Sequence, residues 1–346
     1  MSNDAATDAS DSAGSAPPTK IQVEKSIGLP SIALCATDTA GPSSILMGMS
    51  DFLVHRLDMF AEQAKPIAIA PQGHASYVTG LVRHDDLLVS GGYDGALVWW
   101  QAESGEIVHR REQAHDKWIR GLALSPDGTR LVSVADDMQT KLWDLASGEL
   151  LDQWGDHASR TPHGYPSMLY AVAYSACGTW IATGDRTGQV YVRQADSGAI
   201  IQQLETPVLY TWDPRARRHS IGGIRALSFS HDGQWLAVGG MGKVNNIDHL
   251  EGPSRVEVFA WRAEQKLEIE DTKFKGLVER IAFSPDDSWL LCAGGDHSGF
   301  VSAYALDGGK LLAQEKTGRH IHDFVWQPEQ NRLLTVGHQQ ASILKL

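Results

Sequence analysis

A short pattern of residues returns along the 346-residue chain at roughly regular intervals. Tryptophan marks three of its copies, residues 178–184 (GTWIATG), 233–240 (GQWLAVGG) and 287–295 (DSWLLCAGG). Each copy follows a short apolar stretch that ends in Ser, and a similar stretch precedes the Pro-Asp-Gly turn at 126–128. A repeat of this kind must be treated as an array before any residue is given a catalytic role, because each copy is one unit that packs against the next.

The apolar runs of the chain are short and rich in Val, Ile, Leu and aromatic residues, with Gly, Asp, Asn and Pro between them. This punctuation is typical of β-strands joined by tight turns. Residues 45–65 come closest to a sustained helical period, and Gly48 and Asp51 interrupt it. The sequence therefore predicts an all-β fold.

Composition disfavours several classes of protein. With 42% hydrophobic and 21% charged residues, the chain has the make-up of a globular protein with a buried core. Its formal net charge of -12 disfavours binding to nucleic acid, which requires clustered Lys and Arg, and binding to an anionic membrane surface. No run approaches the ~20 apolar residues of a membrane span, so we expect no membrane insertion.

The cysteines and the N-terminal residues bear on the compartment. Cys35, Cys177 and Cys292 are too few and too far apart for a disulfide framework or a zinc site. Residues 1–18 are rich in Asp, Ser and Ala and lack the basic start and apolar run of a secretory signal. We predict a disordered tail over residues 1–19, one folded domain over residues 20–346 and a cytoplasmic location.

The clearest copy of the repeat covers residues 114–148. It contains a His, a Pro-Asp-Gly turn, an Asp-Asp turn and then Trp143 followed by Asp144. The preceding copy has Trp100 at the matching place, 43 positions earlier, followed by Gln101 instead of Asp. These residues closely resemble the WD-repeat family, whose period is about 40–45 residues. The resemblance implies a β-propeller, in which four-stranded blades surround a central channel.

Seven copies can be aligned, although most carry weaker signatures. Four later copies end near residues 193, 261, 304 and 346, and a cryptic copy at 32–70 precedes the two clear ones. The last copy stops after its third strand, while residues 21–24 stand before the first copy as an unassigned strand. We therefore predict a single seven-bladed β-propeller of WD-repeat type, whose ring is closed by the N-terminal strand. Such closure removes open sheet edges.

The resemblance to WD repeats also implies a structural hydrogen-bonded set in each complete copy. A His before the first strand, a Ser in the second, an Asp in the following turn and a Trp in the third can link their side chains. The predicted sets are His74, Ser90, Asp94 and Trp100, and then His115, Ser133, Asp137 and Trp143. A Ser–His–Asp grouping also invites comparison with a hydrolase triad. A triad has no reason to repeat once per blade, so we predict no catalytic residue.

The fourth copy departs from this pattern, because Thr187 stands at the Asp position and Arg193 at the Trp position. We expect its blade to be held by ordinary strand packing.

Other tryptophans have a different place in the repeat. Trp180, Trp235 and Trp289 open second strands, where we expect them to pack between neighbouring blades.

Histidine is abundant but shows no metal-binding spacing. The 14 His residues include no H-E-x-x-H motif, and the closest pair, His320 and His322, would share one face of a strand. Two ligands alone make a poor site, since a protein usually supplies at least three. We therefore predict no metal and no cofactor.

Loops held by a rigid ring are the expected place for partner binding. In the WD-repeat family, the matching loop positions lie near the central channel on one face of the ring. Here they are mainly aromatic or Arg, the types enriched in interface hot spots. The candidate contacts are Tyr77, Tyr93, Trp118, Arg120, Tyr170, Arg186, Arg225 and His322. The alternative is that Trp118 and Tyr170 only cover loop backbone while the arginines solvate the rim.

Two long connections are further candidates for binding. Residues 239–254 separate two strands by far more than a tight turn, and the exposed connection 206–214 is followed by a basic run at 215–218. Long loops in compact domains are often functional or disordered. A basic run of this kind is more often a solvated loop than a nucleic-acid patch.

These features favour a non-enzymatic protein–protein interaction scaffold that presents a propeller face to protein or peptide partners, with a preference for acidic segments. We expect a monomeric propeller within a larger complex. The alternative is a propeller-based hydrolase or lactonase with a metal site in the channel, since the fold alone does not exclude an enzyme. A nucleic-acid binder would conflict with the net charge of -12.

Overall fold

The computed structural model describes residues 16–215, 218–245, 247–248, 251–263 and 265–346. Within these ranges the chain is built from β-strands, with two short 3₁₀ helices at Pro207–Leu209 and Pro328–Gln330, which confirms the all-β class. The described part of the chain contains no helix long and apolar enough to cross a membrane. Most of the predicted N-terminal tail lies outside the described residues; Pro18, near its end, is buried.

The first strand along the chain, β1 (Gln22–Gly28), precedes the first blade. In each blade the strands are antiparallel and neighbours in sequence are neighbours in the sheet. Blade 1 contains β2 (Ala33–Asp38), β3 (Ser44–Met49), β4 (Val54–Asp58) and β5 (Ile67–Ala68). Blade 2 contains β6 (Val78–His84), β7 (Leu87–Gly92), β8 (Leu97–Gln101) and β9 (Ile107–Arg111). Blade 3 contains β10 (Ile119–Leu124), β11 (Arg130–Ala135), β12 (Thr140–Asp144) and β13 (Leu150–Trp154). Blade 4 contains β14 (Leu169–Tyr174), β15 (Trp180–Asp185), β16 (Gln189–Gln194) and β17 (Ile200–Glu205).

An additional hairpin of β18 (Tyr210–Asp213) and β19 (His219–Gly222) separates blade 4 from blade 5. Blade 5 contains β20 (Ala226–Phe229), β21 (Leu236–Met241), β22 (Pro253–Ala260) and β23 (Gln265–Lys275). Blade 6 contains β24 (Leu277–Phe283), β25 (Trp289–Gly295), β26 (Gly299–Ala305) and β27 (Leu311–Thr317). Blade 7 contains β28 (Ile321–Gln327), β29 (Arg332–Gly337) and β30 (Gln340–Lys345).

The first strands of the blades surround a central channel. Each inner strand contacts the inner strand of the next blade, and β28 of blade 7 returns to β2 of blade 1. The described residues therefore form seven blades in a closed ring, as the sequence predicted. The channel has a volume of about 320 Å³. Because it is lined by inner strands and the residues just before them, side chains from every blade meet there.

The ring closes between the two ends of the described chain. β1 pairs antiparallel with β30 along most of its length and so forms the outer strand of blade 7. Closure by an N-terminal strand is confirmed, although the strand continues beyond residues 21–24. Ile21 and Ile27 are 1% and 6% exposed and join two different core clusters. Burial of these side chains attaches the strand to the ring.

The core lies between adjacent blades, because each blade is covered on both faces by its neighbours. The ring centroids of Trp180 and Trp261 are 5.5 Å apart across blades 4 and 5, and those of Trp289 and Trp326 are 5.2 Å apart across blades 6 and 7. Trp235 packs against the cluster shared by blades 5 and 6. The predicted packing of the three second-strand tryptophans between blades is confirmed.

Two connections differ from the tight turns elsewhere. Residues 206–214, predicted as an exposed connection, instead contribute a 3₁₀ helix and one strand of the hairpin, with Leu209 fully buried. Between β21 and β22, the side chains of Val244 and Ile247 pack with Leu277 of blade 6. Over its described residues, the long connection therefore covers the neighbouring blade.

Candidate functional site

The two predicted hydrogen-bonded sets have the same geometry in blades 2 and 3. In blade 2, Nδ1 of His74 lies 2.9 Å from the Asp94 carboxylate, and its Nε2 lies 2.8 Å from the Ser90 hydroxyl. Trp100 donates its indole N–H to the same hydroxyl at 2.9 Å. The set around His115 repeats the three contacts at 3.0, 2.7 and 2.9 Å.

Burial gives these sets a structural role. Ser90 and Ser133 are 0% exposed, so no substrate can reach either hydroxyl. Each hydroxyl is already engaged by an indole N–H and an imidazole. Burial lowers the pKa of His115, although the adjacent Asp137 carboxylate opposes this effect. The ring is therefore neutral near pH 7 and can donate to one partner while it accepts from another.

Blade 4 also contains a hydrogen-bonded set, so the expectation that ordinary packing alone holds this blade was wrong. His157 lies 3.0 Å from the Asp185 carboxylate and 2.9 Å from the Thr183 hydroxyl. This Asp stands two positions after the Thr, whereas Asp in the other sets stands four positions after the Ser. Alignment on Thr187 therefore missed it. Arg193, at the Trp position, is buried and makes an ion pair with the exposed Asp156 instead of an indole hydrogen bond.

Four side chains form a continuous line across blades 1 to 3, which we call the aromatic row: Phe52, Tyr77, Tyr93 and Trp118. Successive ring centroids are 5.9, 5.8 and 4.3 Å apart, and the last pair is stacked. Phe52, Tyr77 and Trp118 are 39%, 43% and 48% exposed. Aromatic pairs contribute ~0.5–1.5 kcal/mol beyond area burial. These contacts hold the row in place while leaving apolar surface in water.

Phe52 was missed in the sequence because the first repeat is cryptic there. It lies in the turn between β3 and β4 with φ 76°, a left-handed conformation that is uncommon outside glycine. Backbone strain of this kind costs ~1–3 kcal/mol and is concentrated at functional sites. At the other end of the row, Trp118 borders a cleft of about 380 Å³ that is also lined by Pro166 and Met168.

Two arginines extend the row towards the channel. The Arg120 guanidinium lies 4.7 Å from the ring centre of Tyr93 and 5.3 Å from the ring centre of Tyr170. The Arg225 guanidinium lies 3.9 Å from the ring centre of Tyr170. Such cation–π contacts contribute ~0.5–2 kcal/mol each. Arg120 also makes a two-point ion pair with Asp136, each contact 2.8 Å long. Burial would lower the pKa of Arg120, but this ion pair raises it. Arg120 therefore stays positively charged, and the Asp136 carboxylate largely offsets that charge.

The structure joins six of the eight candidate contact residues by ring and cation–π contacts, and two lie outside this set of contacts. The contiguous six are Tyr77, Tyr93, Trp118, Arg120, Tyr170 and Arg225. Arg186 is only 8% exposed and donates to the Ser220 carbonyl at 3.0 Å, so it fastens the additional hairpin. His322 lines the channel, and its Nε2 is shielded from solvent. Neither Arg186 nor His322 is positioned to meet a partner at the aromatic row.

At the channel, His322 lies beside His320 and Glu279, and possible ligand atoms of the three residues are all within 4.8 Å of one another. Burial and the neighbouring His320 ring lower the pKa of His322 to about 3. Burial would raise the pKa of Glu279, but His320 and Arg225 lower it to about 2. Spacing along the sequence brings only two histidines together, whereas the structure adds a carboxylate from the adjacent blade.

Comparison with known proteins gives matches to the repeat and to proteins that contain it. The WD40 family model (WD domain, G-beta repeat) matches residues 65–101, 106–144, 214–244 and 271–301. Telomerase protein component 1 of Rattus norvegicus is 28% identical over 212 residues, 61% of this chain and 7% of that protein. Protein groucho of Drosophila melanogaster is 26% identical over 208 residues, 60% of this chain and 23% of that protein. The target of rapamycin complex subunit wat1 of Schizosaccharomyces pombe is 34% identical over 110 residues, 32% of each chain.

The chain spans less than a quarter of the length of the telomerase component and of Groucho. The matched repeat is offset from the blades. Residues 65–101 and 106–144 each begin at the outer strand of one blade and continue through three strands of the next, so each repeat joins two blades. The ring geometry, the hydrogen-bonded sets and the family matches agree: the chain carries WD40 repeats and folds as a seven-bladed β-propeller.

Proposed function

We propose that this protein is a non-enzymatic scaffold that binds other proteins through the aromatic row. The observation that carries the proposal is the exposure of Phe52, Tyr77 and Trp118 in one continuous line on a rigid ring. Adjoining exposed apolar groups commonly mark interaction surfaces, and Trp and Tyr are enriched in interface hot spots. The buried serines of the hydrogen-bonded sets offer no accessible nucleophile for a hydrolase that acts through a Ser–His–Asp triad.

The chemistry of the row favours a partner segment with an apolar or aromatic side chain. Such a side chain can lie on the exposed rings, and the cleft beside Trp118 offers it a place to bury. The preference for acidic segments has narrower support. Arg120 is paired with Asp136, and Arg186 is buried. Arg225 is therefore the main candidate among the arginines for contact with an acidic side chain of a partner.

Membership of a larger assembly is part of the proposal. Among the similar proteins, one is named as a component of telomerase and another as a subunit of the target of rapamycin complex. We propose a monomeric propeller within such a complex, located in the cytoplasm. The three cysteines are free, and free thiols persist in reducing compartments. The net charge of -12 supports a protein partner over nucleic acid or an anionic membrane.

Replacement of both Tyr77 and Trp118 by Ala should remove a defined subset of co-purifying proteins. Hot-spot aromatics contribute about 2 kcal/mol or more each, so recovery of these partners should fall at least about tenfold. The measurement is quantitative mass spectrometry of material bound to the tagged full chain, wild type against variant. Because the variant also loses the three ring contacts of the row, its unfolding midpoint should fall by a few degrees, and partner recovery is measured well below that midpoint.

Leu151→Ala is the matched control, because Leu151 is 50% exposed on the outer strand β13, away from the row. It should leave the partner list unchanged. An identical partner list for wild type and the Tyr77→Ala/Trp118→Ala variant would contradict the proposal. Equal losses in the variant and the Leu151→Ala control would do so as well.

A further inference from the structure

Three side chains with metal-binding chemistry meet where blades 6 and 7 face the channel. Glu279 belongs to β24, His322 belongs to β28, and His320 immediately precedes β28. Their possible ligand atoms all lie within 4.8 Å of one another. The ring centroids of His320 and His322 are 4.5 Å apart, and an irregularity in the pairing of β28 with β29 falls at His322. Neighbouring inner strands of a rigid ring therefore fix the relative positions of all three side chains.

Two histidine nitrogens of this cluster are buried without a hydrogen-bond partner among the described residues. Nε2 of His320 and Nε2 of His322 are both shielded from solvent and unpaired. Nε2 of His320 lies 3.4 Å from a Glu279 oxygen, within ion-pair distance but outside hydrogen-bond geometry. A buried polar atom without a partner costs ~1–3 kcal/mol. Two such nitrogens beside one carboxylate are therefore an unsatisfied ligand set.

His338 supplies a fourth imidazole at the mouth of the cluster. It lies in the turn between β29 and β30, where it is exposed, and its ring centroid is 5.2 Å from that of His320 and 4.9 Å from that of His322. An exposed turn residue can rotate more freely than the buried pair. His338 therefore gives the cluster both a further ligand and a side open to solvent.

We propose that Glu279, His320 and His322 bind one Zn²⁺ ion, with His338 as the fourth ligand. Two imidazoles and one carboxylate form a ligand combination that suits zinc. Ca²⁺ and Mg²⁺ instead prefer sites made of oxygen ligands. Zinc–ligand distances of about 2.0–2.2 Å place the ligand atoms of a tetrahedral site roughly 3.5 Å apart. The ligand atoms now lie within 4.8 Å of one another. Side-chain rotations that move these atoms by about 1 Å would bring them to the separation of a tetrahedral site.

The charge around the cluster sets a limit on affinity. Arg225 lies close enough to act on the Glu279 carboxylate, and Arg319 precedes His320 in the chain. Both positive charges oppose a bound cation, while Glu279 supplies the one negative charge of the ligand set. We expect one saturable zinc site per chain.

The test is calorimetric titration of ZnCl₂ into the full chain after dialysis against a chelator, with bound zinc counted by elemental analysis. Wild type should bind one Zn²⁺ per chain. Glu279→Gln and His322→Ala should each weaken binding at least about tenfold, since even loss of an outer contact to a zinc ligand costs 10–100-fold. His297→Ala is the matched control, because His297 is 88% exposed beside Asp296 in another turn of blade 6. It should bind like wild type.

Absence of saturable zinc binding by wild type would overturn the proposal, whatever the variants do. So would equal affinity of wild type, Glu279→Gln and His322→Ala. If a buried variant does not fold, His338→Ala replaces it, since that exposed residue can change without opening the core; wild-type affinity in that variant would reject His338 as a ligand. The Tyr77→Ala/Trp118→Ala variant should still bind zinc, which separates this test from that of the proposed function.

Discussion

A chain that lacks residues 1–28 is expected to lose most of its stability, because it lacks the outer strand of blade 7. The deletion removes the β1–β30 ladder and the buried side chains of Ile21 and Ile27. Burial of each Ile contributes ~1.5–3 kcal/mol, against a total of ~5–15 kcal/mol for a typical domain. It also leaves β30 as an open edge, which favours association between chains. Urea unfolding, with size-exclusion chromatography to detect association, measures both effects.

The matched control is a chain that lacks residues 1–15 and keeps β1. Its unfolding midpoint should equal that of the full chain, as the prediction of a disordered tail requires. A synthetic peptide of residues 16–29 added to the longer deletion should restore part of the lost stability, since the peptide can pair with β30. An unchanged midpoint after removal of residues 1–28 would show that ring closure by this strand does not stabilise the protein.

The substitution Ser133→Ala is expected to lower the free energy of unfolding by about 2–5 kcal/mol. Its hydroxyl contacts Nε2 of His115 and accepts the indole N–H of Trp143, and the residue is 0% exposed. Alanine fits the same space but leaves both buried partners unsatisfied. Each unsatisfied group costs ~1–3 kcal/mol. Chemical denaturation of variant and wild type at pH 7 gives the difference directly.

The matching substitution in blade 4, Thr183→Ala, should lower the free energy of unfolding by less than Ser133→Ala does. Thr183→Ala should cost about 1–3 kcal/mol, because it leaves only the ring of His157 without its partner and no indole donor is lost. Ser104→Ala, at an exposed turn, should change the free energy of unfolding by no more than ~0.5 kcal/mol. A Ser133→Ala variant that unfolds like Ser104→Ala would contradict the structural role of the hydrogen-bonded sets.

The architecture could be predicted because each repeat carries its own local signals. Trp100 and Trp143 stand at matched positions with a His, Ser and Asp at matched offsets, and the structure brings each group into contact. The missing outer strand of blade 7 could also be inferred, since residues 21–24 before the first repeat alternate apolar and polar side chains, as a strand does. These inferences needed only spacing along the chain and the rule that sheet edges tend to be covered.

The remaining features depend on contacts between distant parts of the chain. Asp185 was missed because it lies two positions after Thr183, so alignment to the other repeats pointed to the wrong residue. Phe52 belongs to the cryptic first repeat, whose weak signature did not mark it, and it joins Tyr77 only across a blade boundary. Glu279 lies more than 40 positions before His322 in the sequence. Only the packing of two inner strands shows that the carboxylate and the imidazole share one site.

The central claim is that a protein partner contacts the aromatic row, and site-specific photo-crosslinking tests it most directly. A photoreactive phenylalanine analogue would be incorporated in place of Tyr77 in one sample and in place of Leu151 in another. Both positions are exposed, at 43% and 50%. The account predicts a covalent adduct with a partner protein from position 77 and no such adduct from position 151. An adduct from position 151 with none from position 77 would contradict the account.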